Sequence, residues 1–151
     1  MKLNTEDTEV TEVEQAIARA PSLANLSHSI IKAALKVHST LGPGLLESAY
    51  KACLLYELRK SELRALSEVP LPVIYDGVKL DLGYRIDLLI EDEIILELKA
   101  IEAISPVHKA QLLSYLRMSK KRVGLLINFN VTHLKDGIHR VVNGPGLQLP
   151  R

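Results

Sequence analysis

The segment 83–100 constrains the fold most strongly, because it places charged residues inside two strongly apolar stretches. Both stretches are rich in Leu and Ile and flank an acidic turn at 91–93, a pattern that predicts two neighbouring strands joined by a tight turn. Asp87 lies inside the first predicted strand, and Glu97 and Lys99 lie inside the second. Charges in such strands are costly unless they are paired, hydrated or bound to a metal. This strand pair is therefore the candidate site.

The alternation of side chains along each strand predicts which charges meet. On the second strand, Glu97 and Lys99 share one face, opposite Leu96 and Leu98. On the first strand, the same period separates a charged set from an apolar set. The charged set is Asp81, Arg85 and Asp87, and the apolar set is Tyr84, Ile86, Leu88 and Ile90. We therefore expect Asp87 and Glu97 to meet on one face of the sheet.

Two carboxylates on neighbouring strands form a pocket suited to a hard divalent cation. Mg²⁺ takes oxygen ligands and commonly needs only one or two protein carboxylates, here Asp87 and Glu97. Lys99 would place an ammonium beside an activated water, an arrangement that suits metal-assisted hydrolysis of a phosphodiester. From these residues alone, an ion-pair ladder across a half-exposed sheet explains the same three charges.

Two helices are predicted before the strands. Helical spacing of apolar residues predicts a helix over about 28–41, with Ser27 as its N-cap. The Gly-Pro-Gly stretch at 42–44 breaks that helix. A second amphipathic helix is predicted from about residue 44 to about residue 61.

The stretch 66–80 predicts two strands around a turn. The Asp76-Gly77 pair between short apolar runs is a hairpin pattern. Pro70 and Pro72 mark the first of these strands as an edge or irregular strand, because proline cannot donate a ladder hydrogen bond.

The second half of the chain predicts a helix between two strands. A third helix is expected over 106–119, with Pro106 in its first position. The almost entirely apolar run 123–129 is typical of a buried strand, and a short strand is predicted at 138–142. The order is two helices, three or four strands in a meander, a crossover helix and a strand. This order predicts an α/β fold, with a central mixed β-sheet flanked by helices.

Composition restricts the class of protein further. A length of 151 residues suits one domain. The net charge of +1 includes an acidic N-terminal segment: residues 1–14 hold five acids and one base, which leaves 18 bases and 13 acids elsewhere. That surplus permits an anionic partner such as nucleic acid without requiring one. We expect a mobile acidic leader at 1–25, one domain at 26–145 and an irregular tail at 146–151.

The sequence also predicts where the protein resides. No apolar stretch approaches the roughly 20 residues of a membrane helix, and the acidic N-terminus does not have the pattern of a signal peptide. We therefore expect a cytoplasmic protein with no membrane partner. Cys53 is the single cysteine, so no internal disulfide can form, and its apolar surroundings favour buried packing.

The charged residues of the strand pair belong to a longer pattern. Asp87, then Glu97-Leu98-Lys99 after a hairpin turn, then Gln111 on the next helix resembles the PD-(D/E)XK nuclease superfamily. Ile86 stands where the superfamily name has Pro, a departure that leaves the chemistry unchanged.

A second motif narrows the resemblance. Gly44-Leu-Leu-Glu47-Ser-Ala-Tyr50 is similar to the pattern that names the GxxExxY protein family, a branch of the same superfamily. Together the two motifs make the chain resemble that family over about residues 28–143.

The resemblance implies a restriction-endonuclease-like core and a nuclease that uses Mg²⁺, with Mn²⁺ as a substitute, on DNA or RNA. Asp87 and Glu97 would be metal ligands, joined by the backbone carbonyl of Leu98, and Lys99 would be the catalytic lysine. Glu47 matches the helical acid of the superfamily, which contacts the metal directly or through water. Gln111 matches the glutamine that follows the core motif.

Three further residues are candidate substrate contacts. Arg85 would hold a phosphate or pair with Asp87, Tyr50 would approach the site or pack in the core, and Tyr115 lies one turn after Gln111.

Two basic features leave alternatives open. His108, three residues before Gln111, is a candidate to approach the site, and the cluster 120–122 either holds a nucleic-acid backbone or is a solvated helix end. The competing hypothesis for the whole chain is a catalytically silent nucleic-acid-binding or regulatory module on the same fold. A homo-oligomer is compatible with either reading.

Overall fold

The computed structural model describes residues 22–144. The predicted tail at 146–151 and the leader up to residue 21 lie outside this range. The elements are α1 (Leu23–Leu41), α2 (Glu47–Lys60), β1 (Ala65–Pro70), β2 (Val73–Tyr75), β3 (Val78–Leu80), β4 (Arg85–Ile90), β5 (Ile94–Lys99), α3 (Pro106–Ser119), β6 (Val123–Asn128), a 3-10 helix (Leu134–Gly137) and β7 (Ile138–Val142).

The main sheet has five strands in the order β1-β4-β5-β6-β7. The β5–β6 pair is parallel and the other three pairs are antiparallel. Parallel neighbours need a long connection, and α3 supplies it between β5 and β6. The predicted mixed α/β sheet with flanking helices is therefore confirmed.

Two clusters of apolar side chains cover the two faces of the sheet. The α1/α2 cluster includes Leu26, Ile30, Val37, Tyr50, Leu54, Leu58, Leu88, Ile90, Leu96, Leu98 and Phe129. The α3 cluster includes Ile86, Leu89, Ile95, Leu112, Leu113, Leu116 and Leu126. Cys53 is partly buried against the first cluster, as its apolar surroundings predict. The sheet is thus a middle layer between α1 and α2 on one side and α3 on the other.

The region between β1 and β4 differs from the predicted meander. The Asp76-Gly77 turn is confirmed, with φ angles of 52° and 73° that suit a two-residue hairpin turn. However, β2 and β3 pair only with each other, in a separate two-stranded sheet. Pro70 and Pro72 interrupt the ladder after β1, because neither has a backbone N–H to donate.

Strands β1 and β4 switch faces part-way along their length. Ala65 belongs to the α1/α2 cluster and Val69 packs against the α3 cluster, although both are odd-numbered positions of β1. In β4, Leu88 belongs to the α1/α2 cluster and Ile86 to the α3 cluster. Side chains two residues apart normally share a face. The predicted grouping of Ile86 with Leu88 is therefore wrong.

The switch occurs where Glu68 lies opposite Asp87. The β1–β4 register pairs Ser67 with Leu88 and Val69 with Ile86 and omits the position between them. The φ angle of Glu68 is 54°, a left-handed conformation that non-glycine residues rarely adopt. The kink thus lies where the alternation of both strands reverses.

The starts of both N-terminal helices differ from the prediction. Ser22 caps α1, since its Oγ accepts a hydrogen bond from the backbone N–H of Asn25 at 3.1 Å. Ser27 is instead buried inside the helix, so its assignment as the N-cap is wrong. The second helix begins at Glu47 rather than near residue 44, because Gly44 has a φ angle of 99° that a helix cannot contain.

Tyr50 fixes the loop between α1 and α2. Its hydroxyl donates to the carbonyl of Gly42 at 2.6 Å and accepts from the N–H of Leu45 at 3.1 Å. Its ring stacks on Phe129 with centroids 4.6 Å apart. Tyr50 is fully buried, so its predicted contact with substrate is wrong and packing is its role.

We expect Tyr50→Phe to lower the free energy of unfolding by about 1–3 kcal/mol, because it leaves two backbone groups without their partner. Urea unfolding would measure the change. Tyr56→Phe is the matched control, since Tyr56 on the same helix is 65% exposed. Equal stability of the Tyr50→Phe and wild-type proteins would contradict the hydroxyl's role.

Candidate functional site

The strands β4 and β5 separate at Asp87. Their backbone pairing runs from Ile90 opposite Ile94 to Leu88 opposite Leu96. Beyond that point, the carboxylates of Asp87 and Glu97 accept the backbone N–H groups in place of backbone carbonyls. Asp87 Oδ2 accepts the N–H of Leu98 at 2.9 Å, and Glu97 Oε1 accepts the N–H of Asp87 at 3.3 Å. The prediction that Asp87 and Glu97 meet on this strand pair is confirmed.

Glu97 is a buried acid, with only 7% of its surface exposed. Burial is the main reason that its pKa is raised to about 8, and the negative charge of Asp87 raises it further. The N–H of Asp87 and the positive charge of Lys99 act in the opposite direction. The pair therefore carries negative charge that its protein neighbours offset only in part.

Glu47 lies in the first turn of α2, close enough to Asp87 for the two charges to interact. Its pKa is raised by burial and then by the negative charge of Asp87, while Lys99 and Lys51 lower it. The helix start thus adds a third carboxyl to the electrostatic surroundings of Asp87.

Lys99 supplies positive charge at the end of β5. Its ammonium lowers the pKa of both Glu97 and Glu47, and its side chain is half-buried. The carbonyl of Lys99 accepts the N–H of Phe129 at 2.9 Å. These contacts fix the end of the strand that carries the predicted lysine.

Asn128 holds the chain that follows Lys99. Its side-chain amide donates to the carbonyl of Ile101 at 2.9 Å and accepts the N–H of Ile101 at 3.1 Å. Sequence reasoning missed this residue. A polar residue ending an all-apolar strand was the available indication, since a buried amide requires partners.

Two predicted residues approach the acids from α3. Gln111 Nε2 donates to the hydroxyl of Tyr115 at 3.2 Å. Burial raises the pKa of Tyr115, and the negative charge of Glu97 raises it further. The ring of Tyr84 lies edge-on to that of Tyr115, with centroids 5.9 Å apart. The α3 face of the acid pair is therefore lined by an amide and two phenols.

Other predicted residues have different partners. Arg85 donates to the carbonyl of Tyr84 at 2.9 Å and lies 3.6 Å from the carboxylate of Asp81. Its predicted pairing with Asp87 is therefore wrong, because the guanidinium of Arg85 lies beside the carboxylate of Asp81 instead. Contact of Arg85 with a phosphate stays a prediction.

The two basic features of α3 lie at its ends. His108 Nδ1 accepts the N–H of Ser105 at 2.9 Å and completes a capping box, so the ring serves the start of the helix. Past the other end, Lys121 pairs with Asp92 at 2.9 Å, which is the arrangement of a solvated surface.

Lys51 and Glu68 border the acids and were not predicted from the sequence. The Lys51 ammonium donates to the Glu68 carboxylate, and both charges act on Glu47. The four-residue spacing from Glu47 placed Lys51 on the same helix face. The sequence held no comparable indication for Glu68, because its position depends on the kink in β1.

The oxygen donors of the acid pair fit a hard divalent cation. Glu97 is buried and Asp87 is partly buried, and the negative charge of the pair is only partly offset, the condition that a bound cation relieves. Within residues 22–144, no three Asp, Glu, His or Cys side chains lie close enough to hold a metal together. The predicted set with Glu47 and the carbonyl of Leu98 therefore remains a prediction.

One cavity of the described chain lies away from the acid pair. It has a volume of about 360 Å³ and lies between α1 and α2, lined in part by Lys36, Glu57 and Lys60. Glu57 pairs there with Lys36 at 3.1 Å and with Lys60 at 3.2 Å. This cavity contains none of the predicted site residues.

Comparison with known families agrees with this geometry. A family model described as the PD-(D/E)XK nuclease superfamily matches residues 24–141. The chain belongs to this superfamily. No curated protein and no solved structure matches it. The five-stranded mixed sheet with flanking helices is consistent with the restriction-endonuclease-like fold of the superfamily. Among the residues that the structure describes, no helix has the length and apolar character to cross a membrane.

The raised pKa of Glu97 predicts a pH-dependent stability of the metal-free protein. Between the ordinary pKa of 4.5 and the folded value of about 8, the folded state keeps a proton that the unfolded chain releases. The free energy of unfolding should therefore fall as the pH rises through this window and level off above it. The fall should be on the order of a few kcal/mol.

Urea unfolding across this pH range would measure the fall. Glu97→Gln should remove most of the slope, whereas Glu93→Gln, in the exposed turn of the same hairpin, should preserve it. An unchanged slope in Glu97→Gln would contradict the assignment.

Proposed function

We propose that the protein is a Mg²⁺-dependent nuclease that hydrolyses phosphodiester bonds of DNA or RNA, with Mn²⁺ able to replace Mg²⁺. The observation that carries the proposal is the Asp87–Glu97 pair, fixed at the gap between β4 and β5 with Lys99 beside it. Membership of a nuclease superfamily supports the same reading.

Each residue has a role in this proposal. Asp87 and Glu97 bind the cation with the backbone carbonyl of Leu98, and Glu47 contacts it directly or through water. When bound, the cation supplies Lewis-acid chemistry to the phosphoryl group and to the attacking water. Lys99 orients that water or offsets charge that builds on the phosphate.

The residues of α3 and β4 would contact the substrate. Gln111 and Tyr115 form a hydrogen-bonded pair on the α3 side of the acids and would orient the substrate there. Arg85 is 38% exposed in its side chain and is a further candidate for holding a phosphate.

We further propose that the chain is a member of the GxxExxY branch. Two positions of that motif have structural explanations here: Gly44 has a left-handed backbone, and Tyr50 bonds the same loop. The remaining acid, Glu47, faces the site. The motif therefore combines a helix start with a functional carboxyl.

The remaining features of the proposal rest on the sequence. We place the nuclease domain at 26–145, between the leader and the tail, although α1 already begins at Leu23. A cytoplasmic location, a nucleic-acid partner and a homo-oligomer are consistent with this assignment.

The second candidate function is a silent nucleic-acid-binding or regulatory module. This alternative keeps the same superfamily fold and the same pair of acids. The same fold would then hold nucleic acid without turnover.

We expect Lys99→Met to reduce cleavage of a mixed DNA and RNA panel at least about a hundredfold, as the loss of charge stabilisation predicts. Heat of Mn²⁺ binding should be preserved in Lys99→Met and lost in Asp87→Asn. Lys60→Met is the control, because Lys60 lies at the opposite end of α2 from Glu47.

The outcomes separate the two candidates. Cleavage unaffected by Lys99→Met would overturn the assigned roles. Binding of nucleic acid by the wild-type protein with no cleavage in any divalent metal would establish the silent module instead.

A further inference from the structure

Lys51 lies one helical turn after Glu47 and faces the same side of α2. Its ammonium is hydrogen-bonded to the carboxylate of Glu68. The Lys51 side chain is 25% exposed and that of Glu68 is 53% exposed. The ion pair therefore lies at the rim of the site, where a large ligand can reach it.

The charge of Lys51 belongs to the site as well as to the ion pair. Its pKa is raised first by the hydrogen bond to Glu68, and the negative charges of Asp87 and Glu47 raise it further. Lys51 in turn lowers the pKa of Glu47. The ammonium thus stands within the electrostatic reach of both acids.

Glu68 holds this partner from a strained position. Its left-handed φ angle of 54° lies inside a strand, where a residue with a side chain is disfavoured relative to the right-handed conformation. An exposed ion pair stabilises a fold only weakly. Stability alone therefore does not explain a carboxylate at this position.

The charged groups around the acids can be counted. The carboxylates are Glu47, Glu68, Asp87 and Glu97, and the ammonium groups are Lys51 and Lys99. Fully ionised, the six groups sum to −2, which one divalent cation would bring to zero. A polyanionic ligand needs a cation that is free to bind it, and the Lys51 ammonium, already included in this sum, becomes free once Glu68 releases it.

We propose that Lys51 is a second substrate-binding cation. Its ammonium exchanges the carboxylate of Glu68 for a phosphate oxygen of the nucleic-acid backbone, beside the acid pair. Glu68 then acts as a built-in competitor that lowers the affinity of the free site. The ligand in this inference rests on the proposed function, whereas the exchange of partners concerns binding and not turnover.

A double-mutant cycle tests the exchange. Affinity for a labelled oligonucleotide would be measured by anisotropy, with Ca²⁺ in place of Mg²⁺ so that binding is read without cleavage. Lys51→Met should weaken binding roughly tenfold and reduce the slope of log affinity against log salt by about 1, the loss of one phosphate contact. Lys51→Arg should restore most of both.

Glu68→Gln is the substitution that decides between the explanations. It should raise the affinity for the oligonucleotide several-fold in the wild-type background and leave that affinity unchanged in the Lys51→Met background. An equal gain in both backgrounds would show only the removal of a negative charge and would overturn the proposal. The matched controls are Lys60→Met and Glu57→Gln, a pair on the same helix with a separation of 3.2 Å, and each should change affinity less than about twofold.

The exchange of partners and the nuclease activity can be tested separately. If the double-mutant cycle shows the expected coupling but the protein does not cleave nucleic acid, the exchange of partners is upheld and the nuclease assignment is rejected. If the protein cleaves nucleic acid but the effects of the two mutations are additive, the nuclease assignment is upheld and the exchange is rejected. Failure of the wild-type protein to bind any oligonucleotide would overturn both proposals.

Discussion

The exchange of hydrogen bonds between β4 and β5 is the interaction on which the site depends. Where the two strands separate, Asp87 accepts a backbone N–H of β5 and Glu97 accepts a backbone N–H of β4. The carboxylates therefore occupy the positions of missing ladder bonds. A buried acid in an aliphatic sheet is costly unless it is satisfied, and here the same bonds satisfy the backbone and orient the acids. The gap in the sheet is the site itself.

The kink at Glu68 opposite Asp87 explains how two layers contribute to one site. Because β1 and β4 switch faces there, the acids lie at the boundary between the α1/α2 side and the α3 side. Glu47 and Lys51 approach from α2, and the phenol of Tyr115 approaches from α3. A regular alternation would have confined the site to one layer. Both helices thus approach the acids at the point where the alternation of the two strands reverses.

The sequence predicted the features that depend on residues close together in the chain. Alternation along 94–99 placed Glu97 opposite Leu98, and the Asp76-Gly77 turn and the order of helices and strands followed from local patterns. The errors arose where contacts between distant segments decide. Ile86 packs on the opposite side from Leu88, and the Lys51–Glu68 pair joins a helix to a strand 17 residues away. Ser27 and Ser22 are locally similar caps, and only the packing of α1 distinguishes them.

The parallel pairing of β5 with β6 has a consequence for synthesis of the chain. Beyond Leu96, β5 has no ladder partner in β4, whereas Glu97 pairs with Leu126 and Lys99 with Asn128 of β6. The half of β5 that carries Glu97 and Lys99 is therefore supported by a strand made later in the chain. A nascent or truncated chain that stops before β6 contains every acid of the site yet lacks the strand that pairs with Glu97 and Lys99. The acid site would thus be complete only when the domain is almost fully translated.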